Sequence, residues 1–324
     1  MDIAIIGAGW FGCHLGISLR NHHKITIFEK DEVFAGASGH NQNRLHLGFH
    51  YPRSFETRMF AREGYEEFVN TYGKFCECID CNLYAIAKKH SLIDYQTYLH
   101  IMDASNLEYQ EVDPDEFGLN NVSGCIEVKE QLILTSKAKD FFSKELKSNV
   151  VIKDFDTVLT DDFDLIINCS SQAMFPNENW DLIFEPCLVL NYKCKEKHPA
   201  ITIMDGKLCT VYPKEDDVYT VYSVEHSPLS IDQFSSKIGP LKNKTIDDKI
   251  KKFEEVILKY LPNFKSKFEY CGYEVSLRST LNDQTDLRIP SVEKVGKIIH
   301  VLPSKIDHVF HCEREVKNII KNLA

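Results

Sequence analysis

Residues 2–6, DIAII, are an uninterrupted apolar run closed by glycines at 7, 9 and 12, which predicts a short buried strand ending in a tight turn. Leu15 and Leu19 then recur at helical spacing among the small residues Cys13, Gly16 and Ser18, the pattern of a helix lying close on a sheet. Asn21 and His22 end it, and KITIF predicts a second strand closing on Glu29. From 45 to 51 Leu45, Leu47, Phe49 and Tyr51 alternate with polar positions, a half-buried strand that would set His46, Gly48 and His50 on one face.

Farther on, Phe60, Tyr65, Phe68 and Tyr72 follow helical spacing and read as a core-facing stripe. NLYAIAKKH predicts a strand, LIDYQTYLHIMDAS a helix, and DPDEFG a turn at the edge of an inserted region. KAKDFFSKELKS predicts an amphipathic helix with Phe141, Phe142 and Leu146 on its apolar side. Beyond 182 four stretches alternate apolar and polar residues between turns at DG and KEDD, an antiparallel sheet. A helix follows, capped by Thr245 and burying Ile246, Ile250, Phe253, Ile257 and Leu261. EYCGYEVSLRSTL and GKIIHVL predict two late strands, and a helix closes the chain after Pro303, Ser304 and Lys305.

Composition narrows the function classes. With 43% hydrophobic and 27% charged residues in 324, the chain can bury one large core or two ordinary ones. A net charge of -10 argues against a general nucleic-acid or anionic-membrane partner. No apolar run is long enough for a transmembrane segment, and MDIAIIGAGWFG lacks the charged n-region of a signal peptide. Eleven scattered cysteines fit reduced thiols and a cytoplasmic location. Cys76, Cys78 and Cys81 lack a matching fourth ligand, so no metal is expected.

Strand, glycine turn, helix, strand and terminal acid together make a dinucleotide-binding βαβ unit. Gly7 permits the turn, Gly9 lets backbone N–H groups reach a pyrophosphate, Gly12 brings helix and strand together, and Glu29 accepts ribose hydroxyls. A similar acid serves NAD and FAD. The second small-residue loop, Gly36-Ala37-Ser38-Gly39, suits a cofactor that runs on beyond the pyrophosphate and favours FAD.

Residues 7–53 resemble the D-amino-acid-oxidase-like superfamily of FAD-dependent oxidoreductases. The closest pattern is that of L-2-hydroxyglutarate dehydrogenases, then glycerol-3-phosphate dehydrogenases. The former carry a G-H-N-S-G-x-x-H-x-G-x-Y-Y segment, matched here by Gly39 through Tyr51 with departures at Gln42, Asn43 and His50. The resemblance implies an α/β (α+β overall) chain: a Rossmann-type FAD-binding domain of the glutathione-reductase type (1–75, 126–176 and 272–324) and an antiparallel-sheet substrate domain (76–125 and 177–271).

It also implies roles. Gly7, Gly9, Trp10, Phe11, Gly12, Glu29 and Lys30 would hold the adenosine and pyrophosphate, and Ser38, Gly39, Asn41, Arg44, Leu45 and His46 would follow the cofactor towards its ring. DLIINCSS resembles the family's D-x-V-V-N-A-T-G segment and adds Ser170, although Ser171 replaces the glycine and a plain buried strand fits as well. Ser304, Lys305 and Ile306 match a P-S-P turn whose helix N-terminus faces the flavin pyrimidine; a lysine there would stabilise negative charge. Arg278 matches an arginine that holds a substrate carboxylate, with Arg288 a second candidate and Arg44 a further anion-orienting one. An ordinary ion pair also accounts for Arg278.

The implied reaction is hydride transfer to flavin from a C–H beside oxygen or nitrogen of a small, anionic substrate, with His46 or His50 as general base. In related dimethylglycine and sarcosine dehydrogenases a similarly placed histidine carries flavin covalently, which makes His46 a candidate anchor. The electron acceptor, whether oxygen, a quinone or another carrier, is left open. So are a redox-neutral sugar isomerase similar to UDP-galactopyranose mutase and a flavin-binding protein without catalysis.

Overall fold

DIAII forms the strand Asp2–Ile6, and its last four residues are buried because it runs through the middle of a sheet covered on both faces. The computed structural model describes residues 1–155, 157–206, 209–229, 241–282 and 288–323. This sheet has six strands in the order Ser291–Val295, Ile298–Leu302, Leu165–Asn168, Asp2–Ile6, Lys24–Glu29 and Val150–Ile152. The first pair is an antiparallel hairpin and the remaining neighbours are parallel. Ile3 and Ile5 face the helices Trp10–Leu19, Phe55–Tyr72, Thr135–Glu145 and Val309–Lys321, while Ala4 and Ile6 pack with Phe28 and Ile166 on the opposite face.

A larger sheet has eight strands: Phe268–Leu281, Leu182–Cys194, Val218–Ser223, Cys209–Pro213, Ala200–Met204, Asn82–Ala87, Val122–Val128 and Tyr109–Val112. Its neighbours are antiparallel apart from Ala200–Met204 beside Asn82–Ala87. The period of two divides its residues cleanly. Leu83, Ile201, Ile203, Val211, Tyr219 and Val221 pack on Ile246, Phe253 and Ile257 of the helix Asn243–Ile257. Tyr84, Thr202, Thr210, Tyr212 and Thr220 alternate with them and so point the other way, towards the first sheet's loops. A three-stranded sheet of Arg44–Leu45, Gln131–Ile133 and Cys76–Cys78 stands between the two.

Three expectations change. Residues 45–51 are no strand: pairing stops at Leu45, because Gly48 has φ +112° and turns the chain. Thr245 is no cap; its N–H already bonds the Lys242 carbonyl, so the helix begins before it, at Asn243. The boundaries at 126 and 272 fall inside strands of the larger sheet, which puts 126–128 and 272–281 in that sheet.

Gly64 seats the helix Phe55–Tyr72 on the C-terminal turn: a Cβ there would lie 2.3 Å from the Asp307 carbonyl oxygen. Gly64→Ala gains about 1 kcal/mol of helix propensity. Forcing the two backbones apart costs about 1–3 kcal/mol, so a lower urea midpoint is expected. A midpoint at or above that of the native protein would show that the contact yields freely.

Candidate active site

The glycine turn is packed as a nucleotide site requires. A Cβ on Gly12 would fall 1.9 Å from the Gly7 carbonyl oxygen, so only glycine lets the helix Trp10–Leu19 cross the first strand here. That helix starts at Gly9 without a side-chain cap, and the Trp10 N–H donates to Ser38 Oγ at 3.0 Å. Glu29, at the end of the neighbouring strand, accepts from the N–H groups of Ala8 (2.8 Å) and Asp31 (3.2 Å). The turn, the Ser38 loop and the acid therefore meet at the C-terminal edge of the parallel strands, where dinucleotides bind in such sheets.

Several expected contacts offer backbone rather than side chain. The Trp10 ring packs at 5.1–5.3 Å from Phe34, Phe68 and Phe142, and Phe11 is buried in the same core. Leu45 is fully buried, and Lys30 is exposed with its Nζ 4.0 Å from Asp31. The Asn41 amide donates to the Ala37 carbonyl and its Oδ1 accepts from the Asn43 N–H, which folds the loop that includes Gly39. Gln42 ties this loop to the larger sheet through Thr220 (3.1 Å) and Thr210 (3.0 Å). The Ser170 hydroxyl donates to Asn168 Oδ1 at 2.6 Å and accepts from the Met174 N–H, closing its own turn.

The turn at Gly48 brings the two histidines together in place of the expected strand. The ring centroids of His46 and His50 lie 5.5 Å apart, Tyr51 stands 5.9 and 5.2 Å from them, and Lys305 Nζ reaches 5.1 Å from the Tyr51 ring. His46 is buried and His50 half-buried. Burial, and after it the charges of Arg44 and Lys305, hold both imidazoles well below their ordinary pKa. Both are therefore uncharged at neutral pH. Burial, then the Arg288 charge, also pulls the Lys305 ammonium down, and burial pushes the Asp307 carboxyl up. Ser304 and Ile306, beside Lys305, are half-buried.

Arg44 does not point its fork at a substrate. It is buried, donates to the Tyr84 hydroxyl (2.8 Å) and Thr202 Oγ1 (2.9 Å), and lies 4.3 Å from the Tyr212 ring centroid. These internal partners engage one amino group of its guanidinium, while its Nε is buried without a partner. Tyr84 in turn donates to Glu130, whose buried carboxylate also accepts from the Leu47 N–H (2.8 Å) and Asn82 Nδ2 (3.3 Å). Arg278 is ion-paired to Glu185 with its side chain still exposed, and its charge acts on Lys305. The Arg288 backbone N–H bonds Thr57 Oγ1 at 3.0 Å.

Tyr84, Glu130, Thr202 and Tyr212 are not legible as candidates: each sits alone in its stretch of sequence, and only the pairing of distant strands collects them. Asp307 directly follows the Ser304–Ile306 turn and lies within the reach of that motif.

The donor set suits a flavin. Asn43 Nδ2, the Nδ1 atom of His50, the Tyr51 hydroxyl and both Asp307 oxygens are buried without a protein hydrogen-bond partner. Buried polar atoms are seldom left so, and a heteroaromatic ring with alternating donors and acceptors would satisfy such a set. Among the described residues no group of three or more His, Cys, Asp or Glu is arranged to hold a metal, and no helix is long and apolar enough to cross a membrane.

A family model described as FAD dependent oxidoreductase (DAO) matches residues 2–131. The FAD-dependent monooxygenase FPY4 of Fusarium mangiferae is 33% identical over 98% of this chain and 91% of its own length. The FAD-dependent monooxygenase kojA of Aspergillus flavus is 25% identical over 100% of this chain and 86% of its own. Among solved structures, glycine oxidase from Geobacillus kaustophilus superposes with a TM-score of 0.76 at 10% identity, covering 99% of this chain and 94% of that one. L-alpha-glycerophosphate oxidase from Mycoplasma pneumoniae, with FAD bound, gives 0.75 at 14% identity over 99% and 94%. The chain belongs to the DAO family of FAD-dependent oxidoreductases. It is an enzyme, its cofactor is FAD, and redox-neutral or purely structural readings are not favoured.

Removing one member of a buried ion pair strands the other, at about 3–5 kcal/mol, whereas an exposed pair is worth about 0–1 kcal/mol. Arg44 faces the buried Glu130 carboxylate through the Tyr84 hydroxyl, so Arg44→Met is expected to lower the denaturant midpoint more than Arg20→Ala, which breaks the partly exposed pair to Glu145. Equal effects would show that the Arg44 network contributes no more than a surface contact.

Proposed function

We propose that this oxidoreductase removes hydride from a C–H bond beside oxygen or nitrogen of a small anionic substrate: a hydroxy acid, an amino acid or a polyol derivative. The observation that carries the reading is a pair of uncharged imidazoles, one buried and one half-buried, set among cations. The six-stranded unit acts as the cofactor domain and the eight-stranded sheet as the roof over the substrate. FAD, held by the Gly7–Gly12 turn, Glu29, the Ser38–Asn41 loop and the Ser304–Ile306 turn, supplies the two-electron acceptor.

His46 or His50 takes the proton from the substrate O–H or N–H. A neutral imidazole is already the basic form, and its burial keeps water from competing for the proton. Lys305 and Arg278 place positive charge over the same space and favour a carboxylate or phosphate there. Arg278 is the more available of the two guanidinium forks, since Arg44 is held internally. The monooxygenase names of the fungal relatives make oxygen the first electron acceptor to test. The eleven cysteines remain free thiols, which supports a reducing, cytoplasmic setting.

The purified protein is expected to be yellow, and anaerobic addition of hydroxy acids, amino acids and polyol phosphates identifies the substrate by bleaching of that colour. Acid precipitation decides the state of His46: colour retained in the pellet makes it the anchor and passes the base role to His50, whereas colour released leaves it free. With the colour released, His46→Asn should retain flavin and lower kcat by about 10²–10⁴-fold, the usual contribution of a general base. Bleaching by uncharged compounds alone, or full rate in both histidine variants, overturns the proposal.

The pH profile gives a further test, with its sign fixed by the pKa directions. A base held below the ordinary imidazole value stays unprotonated to lower pH, so the acid limb of kcat/KM should lie below about 6.5. A limb at or above that value would assign the proton to another group.

A further inference from the structure

We propose that Glu130 is a positioning residue for His46: its carboxylate accepts a hydrogen bond from Nδ1–H and thereby leaves Nε2 as the basic nitrogen. The inference rests on the assignment of His46 to the active site, and it concerns which of its two nitrogens does the work.

The direction of each proton in the network can be followed. Arg44 can only donate, so the Tyr84 oxygen accepts from it and the Tyr84 proton must go to Glu130, 2.7 Å away. Leu47 N–H and Asn82 Nδ2 also donate to that carboxylate. Three donors converge on Glu130, which therefore stands as an acceptor-only carboxylate although it is 1% exposed. Its Oε1 lies 3.8 Å from His46 Nδ1, which is itself buried without a partner. A bare Nδ1 would set one lone pair against another at this distance. A protonated Nδ1 meets an acceptor, and a small rotation of the ring closes the gap to a hydrogen bond.

The other groups around His46 do not offer that. Arg44, His50 and Tyr51 come from its own segment and Lys305 from the C-terminal turn. Among the described residues, Glu130 is the carboxylate within ion-pair distance of the ring. It also offsets the cations that oppose protonation of His46, so it would make a buried imidazole a better base as well as orienting it.

The test is the tautomer of His46 in the flavin-loaded protein labelled with ¹⁵N-histidine, its imidazole signals assigned by their loss in His46→Asn. The expected result at neutral pH is a protonated Nδ1 and a bare Nε2. A proton on Nε2 in the native protein overturns the proposal without any variant of Glu130.

Glu130→Gln, which offers an amide N–H to the ring, should abolish the preference for Nδ1–H, and Glu130→Asp should restore it in part. A tautomer unchanged in Glu130→Gln also overturns the proposal. If Glu130→Gln does not fold, the native protein and Glu130→Asp still decide the matter. With the tautomer as expected, Glu130→Gln should lower kcat by up to about 10²–10⁴-fold while KM changes little. A correct tautomer with full activity in His46→Asn would instead defeat the assignment of His46 as base and leave the positioning intact.

Discussion

Arg44 and Glu130 are opposite charges taken out of water between two sheets, and neither could stay there without the other. Desolvating an ion costs several kcal/mol unless its hydrogen-bonding capacity is filled. Here the Tyr84 hydroxyl relays the interaction: it accepts from the guanidinium and donates to the carboxylate. The register supports this arrangement. Arg44 pairs with Leu132 and Leu45 with Gln131, which sets Glu130 at the end of the partner strand. Thr202 and Asn82 then reach the network from adjacent parallel strands of the roof. A polar network thus joins three sheets, although Arg44 Nε, Asn82 Oδ1 and the Tyr212 hydroxyl are buried without a protein partner, and low polarity strengthens the hydrogen bonds it does make.

That geometry explains the state of the histidines. A lone imidazole on a surface loop titrates near neutrality and changes charge with small changes of pH. Here the Gly48 turn folds His46 and His50 back under the roof, beside a guanidinium that cannot lose its proton. Low polarity and like charge act in one direction, so the rings stay neutral. Packing and base strength are therefore consequences of the same buried charge.

Much of the fold could be read from local pattern, because the relevant signals lie within a few residues of one another. The strand–turn–helix–strand–acid unit at 2–29 is contiguous, and the period-two stretches beyond 182 became the long antiparallel pairs of the roof. The site was legible only where it follows such a motif. Glu130, in VKEQLIL, has the appearance of a charge in a solvated turn; its burial depends on Asn82 and Tyr84, more than forty residues away. The alternation from Leu45 to Tyr51 suggested a strand, but the backbone of Gly48 decided otherwise, and no hydropathy pattern records φ. Arg44 enters as a cofactor-binding and anion-orienting candidate through the segment that matches the family. What it holds is a tyrosine and a threonine from the roof.

The roof is where sequence period and chemistry meet. In a sheet with one face on a helix, alternate positions must be apolar; the opposite face is free to carry whatever the cofactor domain requires. Here it carries hydroxyls at 84, 202, 210, 212 and 220, each short or stiff enough to stay ordered without the entropy cost of a long charged side chain. Four of them bond Arg44 or the Gln42 loop, so hydroxyl-mediated hydrogen bonds dock the roof, and the partly exposed pair of Arg53 with Asp205 adds to them at its edge. Ion pairs at the rim, such as Arg278 with Glu185, remain partly exposed and screened. The contacts at the centre are buried and so little screened by salt, whereas those at the rim are screened. The histidines lie on the 46–51 turn, Lys305 and Asp307 at the C-terminal turn and Arg278 on the outer strand of the larger sheet.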